Sequence, residues 1–363
     1  MTISAVEIDA AAVADDRSTV TRPRQWRAPA VGVALMIVLV VVAITALAVG
    51  RYYVPPNEVA RLLLGQVLPL RETWLPQERS VVFDIRLPRV LLSMVIGAGL
   101  ALTGAVMQAV FQNPLASAQV LGVSSGASFG GVLMLFGGVS GGYLVGGAFT
   151  GGVLALVLVL LIARAAPGSP LLMIILGGTV VGAMFQAMVS FVTYIADPQQ
   201  QLPSIVFWLL GSLATATYGK VLIASVPIAI GASVVIALRW RLNILAMGDE
   251  DAVSLGLKPT RMRLLLLGCV ALITAGAVSV AGVVSWVGLM VPHLVRMMVG
   301  TDNRIVVPMS ALLGASYLTL IDTLSRILST AEIPIGILTA MIGAPFFVLL
   351  LIRNRRQLWG SDA

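Results

Sequence analysis

Few residues in this 363-residue chain could do covalent chemistry, and their spacing argues against most of it. Ser124, inside Gly122-Val123-Ser124-Ser125-Gly126, and His293 far downstream could form the nucleophile and base of an intramembrane protease if they met at one depth. His293 follows Pro292 toward the end of its span that carries Arg296, whereas Ser124 lies several residues into a helix running the other way, so the pair is poorly placed. His293 is the one histidine, which excludes any metal site needing two imidazoles, and the single Cys269 excludes an internal disulfide. No Gly-x-x-x-x-Gly-Lys-Ser/Thr loop occurs, so the chain does not hold ATP in the P-loop manner. Asp322 and Arg326, four apart on a predicted helix, read either as a pair cancelling its own desolvation or as an arginine turned toward an outside partner.

The elements that must position these residues are membrane helices. With 58% hydrophobic residues, 11% charged residues and a mean hydropathy of +1.00, the chain needs lipid as its solvent. Apolar stretches predict about ten spans, near 30–50, 87–110, 117–137, 143–163, 171–195, 219–238, 262–282, 286–299, 306–326 and 336–352. An even count puts both termini on one side. Arg17, Arg22, Arg24, Arg27, Arg164, the basic residues from Arg239 to Arg263, Arg296, Arg304 and the Arg353 to Arg356 tail share that side, which makes it cytoplasmic. The net charge of +7 is thus read as topology, not as a nucleic-acid surface. Residues 1–29 read as a mobile cytoplasmic tail, residues 30–352 as one ten-helix domain, and 353–363 as a second cytoplasmic tail. The apolar run of 30–49 is longer than a signal-peptide core and reads as an uncleaved first span.

Two features bear on packing and partners. Lipid supplies no hydrophobic force between helices, so close approach needs small residues. Stripes of them occur at Ser93, Gly97, Ala101, Ala105 and Ala109, at Gly142, Gly146 and Thr150, at Ala271, Ala275 and Ser279, and at Gly336, Ala340 and Ala344. The segment 248–258 has acids first, then Ala252, Val253 and Leu255, then Gly256 and Pro259: a short surface helix suited to docking a cytoplasmic partner, or an ordinary polar loop. The helix centres carry almost no ionisable side chain, which counts against a proton-coupled carrier.

Several motifs in order resemble the FecCD family of permeases. They are Arg86-Leu87-Pro88-Arg89, Gly97 to Gln108, Asn113-Pro114-Leu115-Ala116, Leu121 to Ala127, Ala252 to Gly256, Gly288 to Arg296, Asp322 to Arg326 and Glu332 to Gly336. The resemblance implies an all-α polytopic subunit of about ten transmembrane helices with the type II ABC importer permease fold. It implies a homodimer in the bacterial or archaeal cytoplasmic membrane, two cytoplasmic ATP-binding subunits that carry the ATP and magnesium, and an extracytoplasmic substrate-binding protein. The chain itself would then be no enzyme, with no cofactor, metal or nucleic acid of its own. By position, Arg86, Arg89 and Arg326 would dock the binding protein, Asn113 and Leu115 would form the cytoplasmic gate, and Ala252, Leu255 and Gly256 would contact the ATPase. Around Leu171 to Met173 the chain departs from the B12 permease, which has small hydroxyl residues there, so no second gate is assigned. His293 belongs to a motif kept across the family whatever the cargo and is read as structural. A weakly polar pathway suits a bulky chelate, haem or ferric siderophore, ahead of cobalamin, with an oxyanion such as molybdate last. An ATP-independent secondary transporter is the rival of another class.

Overall fold

The computed structural model describes residues 28–69, 74–165 and 170–353. The tails expected at 1–29 and 353–363 lie outside it but for their inner edges, together with Arg17 to Arg27, Arg355 and Arg356 of the charge argument.

Every regular element among the described residues is helical. Helix α1 (Ala28–Ala48) is followed by the short α2 (Pro56–Leu64). Helix α3 (Pro76–Ser80) runs through a π-helical stretch, Val81–Arg86, straight into α4 (Leu87–Val110). After a single 3-10 turn at Ala118–Leu121 come α5 (Val123–Phe136), α6 (Gly142–Ala165), α7 (Pro170–Ile195) and the short α8 (Leu202–Leu209). The remainder is α9 (Tyr218–Leu245), α10 (Asp249–Ser254), α11 (Pro259–Ala281), α12 (Val287–Val299), α13 (Asn303–Ile327) and α14 (Ile335–Arg353).

Seven of the described helices are long and apolar enough to cross a membrane, and α5, α12 and α14 are shorter apolar helices, so each expected span meets one of them. The edges differ where hydropathy ceases to be informative. α9 runs on to Leu245, past the expected 238, because Arg239, Arg241 and Asn243 continue the helix without being apolar. α5 begins at Val123 and not 117, since the preceding residues form the 3-10 turn and a left-handed Gly122 at φ 70°.

α4 and α11 lie at the centre, with most of their surface covered by protein, whereas α1 and α9 are mostly bare along their apolar lengths and suit lipid. α4 packs on α9, α11, α12 and α13. Its stripe from Ser93 to Ala109 is buried throughout, as its small residues suggest. A Cβ on Gly97 would collide with the Gly314 carbonyl of α13, and one on Gly104 with the Gly288 carbonyl of α12. The stripe at Gly142, Gly146 and Thr150 is a correction: it faces outward, and a Cβ on either glycine meets nothing. The face one residue on, Gly147 and Gly151, takes the contact with Gly130 and Gly126 of α5. α6 carries small residues on two adjacent faces, and the sequence period does not say which one finds a partner.

The breaks before α5 and α12 are the other departure from a plain bundle. Irregular backbone at membrane depth is tolerated where protein or a cavity satisfies it. Ser212 N donates to Ala281 O at 2.8 Å, Ile335 N to Gly211 O at 3.0 Å and Gly336 N to Leu210 O at 3.1 Å, so the segment after α8 holds both the end of α11, at the edge of the break at 282–286, and the start of α14.

These contacts predict opposite results at two glycines. Gly104→Val should destabilise the fold by roughly 3 kcal/mol or more, because rigid backbone meets the added side chain, and Gly146→Val should leave stability unchanged; thermal unfolding of the detergent-purified protein distinguishes the two.

Candidate functional site

Three places gather polar or exposed groups along the bundle. At one end, α4 and α13 run antiparallel, which brings Arg89 near the start of the first against Asp322 near the end of the second. Arg89 Nε donates to both Asp322 oxygens at 2.9 and 3.0 Å, and its Nη1 and Nη2 donate to the two Glu332 oxygens at 3.1 and 2.9 Å. This is a forked, charge-assisted arrangement that fixes orientation as well as charge. Arg326 Nε lies 3.4 Å from Asp322 Oδ2, and its Nη2 donates to Ala46 O at 3.1 Å and to Thr323 Oγ1 at 3.3 Å. Arg86 Nη1 donates to Leu47 O and Ala48 O at 2.6 and 2.9 Å, and Nη2 to Tyr52 O. It thereby satisfies carbonyls at the C-terminus of α1, where the helix dipole favours a cation.

The structure therefore brings Arg86, Arg89 and Arg326 into one cluster, with both Arg86 and Arg89 about 95% covered. They are tied into their own subunit. Among the described residues, the arginines exposed at this end are Arg51, Arg61 and Arg79. The i, i+4 pairing of Asp322 with Arg326 exists, but the shorter bond of Asp322 crosses to Arg89. The sequence reading missed that cross-helix pair and the part played by Glu332. Their signal was depth: in antiparallel neighbours, residues near the start of one and the end of the other share a level.

Midway, the breaks before α5 and α12 face each other across a cavity of about 190 Å³. Thr103 of α4, Ser117 just before the 3-10 turn, Gln119 within it, Ser124 of α5, Thr274 of α11 and Ser285 supply its polar lining, and no lining residue is ionisable. Gln119 Nε2 donates to Ser285 Oγ at 3.2 Å across the two breaks. Trp286 holds a left-handed φ of 69°, a conformation that costs a bulky residue energy, packed on Phe347 at 6.2 Å between ring centres and against Gly343. Ser124 lies in this lining and His293 does not; no hydrogen bond joins them, so the geometry offers no nucleophile and base.

At the opposite end, Asn113 and Leu115 form the turn after α4. Asn113 Oδ1 accepts from Leu115 N at 2.8 Å, Gln112 is left-handed at φ 49°, and its Nε2 donates to Leu245 O at 3.1 Å, while the Leu115 side chain is half exposed. Nearby, α10 is shorter than the expected 248–258 but ends as its sequence implies. Gly256 at φ 79° sends its N–H to Val253 O and Leu257 sends its N–H to Ala252 O, both at 2.9 Å, which is the Schellman closure. Arg263 anchors its start through Asp249 Oδ2 at 2.9 Å. Leu255 and Gly256 are exposed, but Ala252 is fully buried within the chain. The apolar face turned outward is Val253 and Leu255 with Met247 beside them, because Ala252 is the residue that seats the helix on its own bundle.

A network of amides and guanidiniums also closes this end. Asp302 caps α13, accepting from Arg304 N at 3.0 Å and Nε at 2.8 and 2.9 Å and from Asn243 Nδ2 at 2.7 Å. The Arg304 side chain, followed by Asn243 and the Arg304 backbone, draws the Asp302 carboxyl down to about 2 against the cost of burial.

Comparison with known proteins agrees with this architecture. The sequence model of the FecCD transport family matches residues 37–353. The chain is 40% identical over 326 residues to the molybdate import system permease protein MolB of Haemophilus influenzae, covering 89% of this chain and 95% of that protein. It is 39% identical over 281 residues to the hemin transport system permease protein HmuU of Yersinia pestis, covering 76% and 84%. A solved structure of a metal-chelate type ABC transporter in an inward-facing conformation superposes with a TM-score of 0.81 at 40% identity, over 90% of this chain and 99% of that one.

Two outcomes follow from the charged groups. Arg89→Ala leaves Asp322 buried without its main counter-ion and should cost about 3–5 kcal/mol; adding Asp322→Asn should restore most of the loss, read as a coupling energy in a double-mutant cycle of unfolding temperatures. The Asp302 cap works with a lowered carboxyl, so its contribution is complete above the ordinary value near 3.9 and fades as pH falls through about 2. The stability difference between the parent and Asp302→Asn should thus be constant from pH 8 to pH 5.

Proposed function

The chain belongs to the FecCD transport family and is an ABC importer permease, and from that premise we propose that it carries an iron complex, haem or ferric siderophore, across the cytoplasmic membrane on ATP hydrolysed by a separate subunit. The observation that supports this cargo class best is the uncharged, hydroxyl-lined cavity between the two helix breaks. A chelate whose metal is already wrapped in ligand asks for no fixed counter-charge, while a bare ion would have to shed its water against one. The likeness to the hemin permease supports the same reading. Molybdate is the second reading, favoured by 40% identity over 95% of the molybdate permease's length.

In this reading the α10 end is cytoplasmic, as Arg164, Arg239, Arg241, Lys258, Arg261 and Arg263 favour by the positive-inside rule. Val253, Leu255 and Gly256 offer the ATPase an apolar knob held rigid by its Gly256 closure and its Asp249–Arg263 anchor. The substrate-binding protein docks on the Arg89 end. Its carboxylates reach Arg86, Arg89 and Arg326 by competing with Glu332, the most accessible carboxylate of the cluster at 29% side-chain exposure. Two copies pair with the pathway between them, using part of the outward apolar stripe of Leu172, Leu176, Val180, Met184 and Met188 on α7. Asn113 and Leu115 close the cytoplasmic mouth. Cargo binding and ATP then act through differential affinity for two permease arrangements, which is the only way a ligand shifts such an equilibrium.

Leu255→Glu puts a charge at the centre of the proposed ATPase contact without touching the bundle. The purified variant should lose its co-purifying ATPase, by at least tenfold in retained hydrolysis, with its unfolding temperature unchanged; full retention of the ATPase sinks the assignment of α10.

A further inference from the structure

The motif Pro292-His293-Leu294-Val295-Arg296 has been given no part in transport, and Arg296 stands in an unusual setting. It lines a cleft of about 530 Å³ at the α10 end, bounded by Gln108, Gln112, Asn243, Thr301 and Asn303. Its hydrogen bonds are long and go to neutral oxygens: Nε to Gln108 Oε1 at 3.4 Å, Nη2 to Ala105 O at 3.3 Å and to Asn303 Oδ1 at 3.2 Å. Guanidinium bonds to an anion are normally 2.7–2.9 Å. Nη1 has no hydrogen-bond partner among the described residues. The one acid in the lining, Asp302, gives both its oxygens to Arg304, with Asn243 also on Oδ1, and none to Arg296. Asp302 and Arg304 cancel, so the cleft keeps one uncompensated positive charge. That charge is half-buried, whereas Arg86, Arg89 and Arg326 at the other end have either a carboxylate or helix-end carbonyls.

Amide side chains of Gln108, Gln112, Asn243 and Asn303 surround that charge; the nitrogens of the first three each give one N–H to Leu289 O, Leu245 O and Asp302 Oδ1, and each carries a second that can meet an oxyanion without adding charge. The volume is in the range of small-molecule sites and exceeds the needs of one bare ion. We propose that the Arg296 cleft binds a phosphate ester, with the phosphoryl group on the guanidinium and its substituent filling the rest of the cleft toward Met247 and Thr301. A soluble phosphate and the headgroup of an anionic phospholipid share this chemistry. Occupancy ties together α4, α9, α12 and α13 beside the turn that leads from α9 into α10, and so bears on the surface that would meet the ATPase. The proposal stands on the cleft alone and is independent of which cargo is carried.

The test uses the full-length chain reconstituted in nanodiscs of phosphatidylcholine alone, titrated with inorganic phosphate and with glycerol 3-phosphate while intrinsic Trp fluorescence and unfolding temperature are followed, and repeated with phosphatidylglycerol in the bilayer. A soluble-ester site gives saturable binding in phosphatidylcholine discs, tighter for the ester than for phosphate. A lipid site gives no response to either soluble ligand in phosphatidylcholine but a raised unfolding temperature with phosphatidylglycerol. In either case Arg296→Gln should weaken the response at least about tenfold, and Arg296→Lys should keep part of it. Should Arg296→Gln fail to fold, Gln112→Glu places a carboxylate at the rim of the cleft and should abolish binding by neutralising the charge. The absence of any response to soluble phosphate or to phosphatidylglycerol in the parent protein, or a response untouched by Gln112→Glu, overturns the proposal.

Discussion

Lipid neither hydrogen-bonds to a polypeptide nor drives its helices together, and the arrangement of this protein follows from that double deficiency. Helices that meet must do so backbone against backbone, which is why Gly97 lies on Gly314 and Gly104 on Gly288, and why α4, the richest in small residues along one face, is central. Backbone that leaves the helical path must find internal partners. The break before α5 closes on itself through local turns, the end of α11 beside the break before α12 is bonded to the segment after α8, and both breaks face a cavity. The places where the bundle is irregular are thus the places where it can surround something.

The same constraint sorts the charges. None lines the central cavity, and the strong ionic groups sit at the two ends of α4 and α13, where the Arg89, Asp322 and Glu332 cluster fixes one level and the Asp302 and Arg304 cap the other. Buried ion pairs contribute little net stability but specify register, and here α4 and α13 are pinned by Arg89 and Asp322 at one end, while along their length they pack by small residues.

Much of the fold was legible in the sequence because hydropathy reports lipid contact directly, and each of the ten expected spans meets an apolar helix. What hydropathy does not report is where helices continue into water, as α9 does to Leu245, or which of two small-residue faces is used, as on α6. The short α2 and α8 escaped notice because neither is long enough to register as a span. At the site level the motifs brought attention to the right segments, and side-chain direction was the missing quantity. Ala252 and Leu255 are three residues apart in one motif, yet one is buried and the other exposed. Arg89 and Asp322 are 233 positions apart and form a buried cross-helix ion pair, visible only once antiparallel helices are aligned by depth.

The central claim is that this chain passes a metal-bearing cargo only when an ATPase works on it. Its most direct test is uptake into proteoliposomes that contain the chain with its ATPase and binding protein, comparing haem, a ferric siderophore and molybdate with and without internal ATP. The account predicts accumulation that requires ATP, with an iron complex as the cargo taken up; equal uptake without ATP would contradict it and point to a carrier of another class.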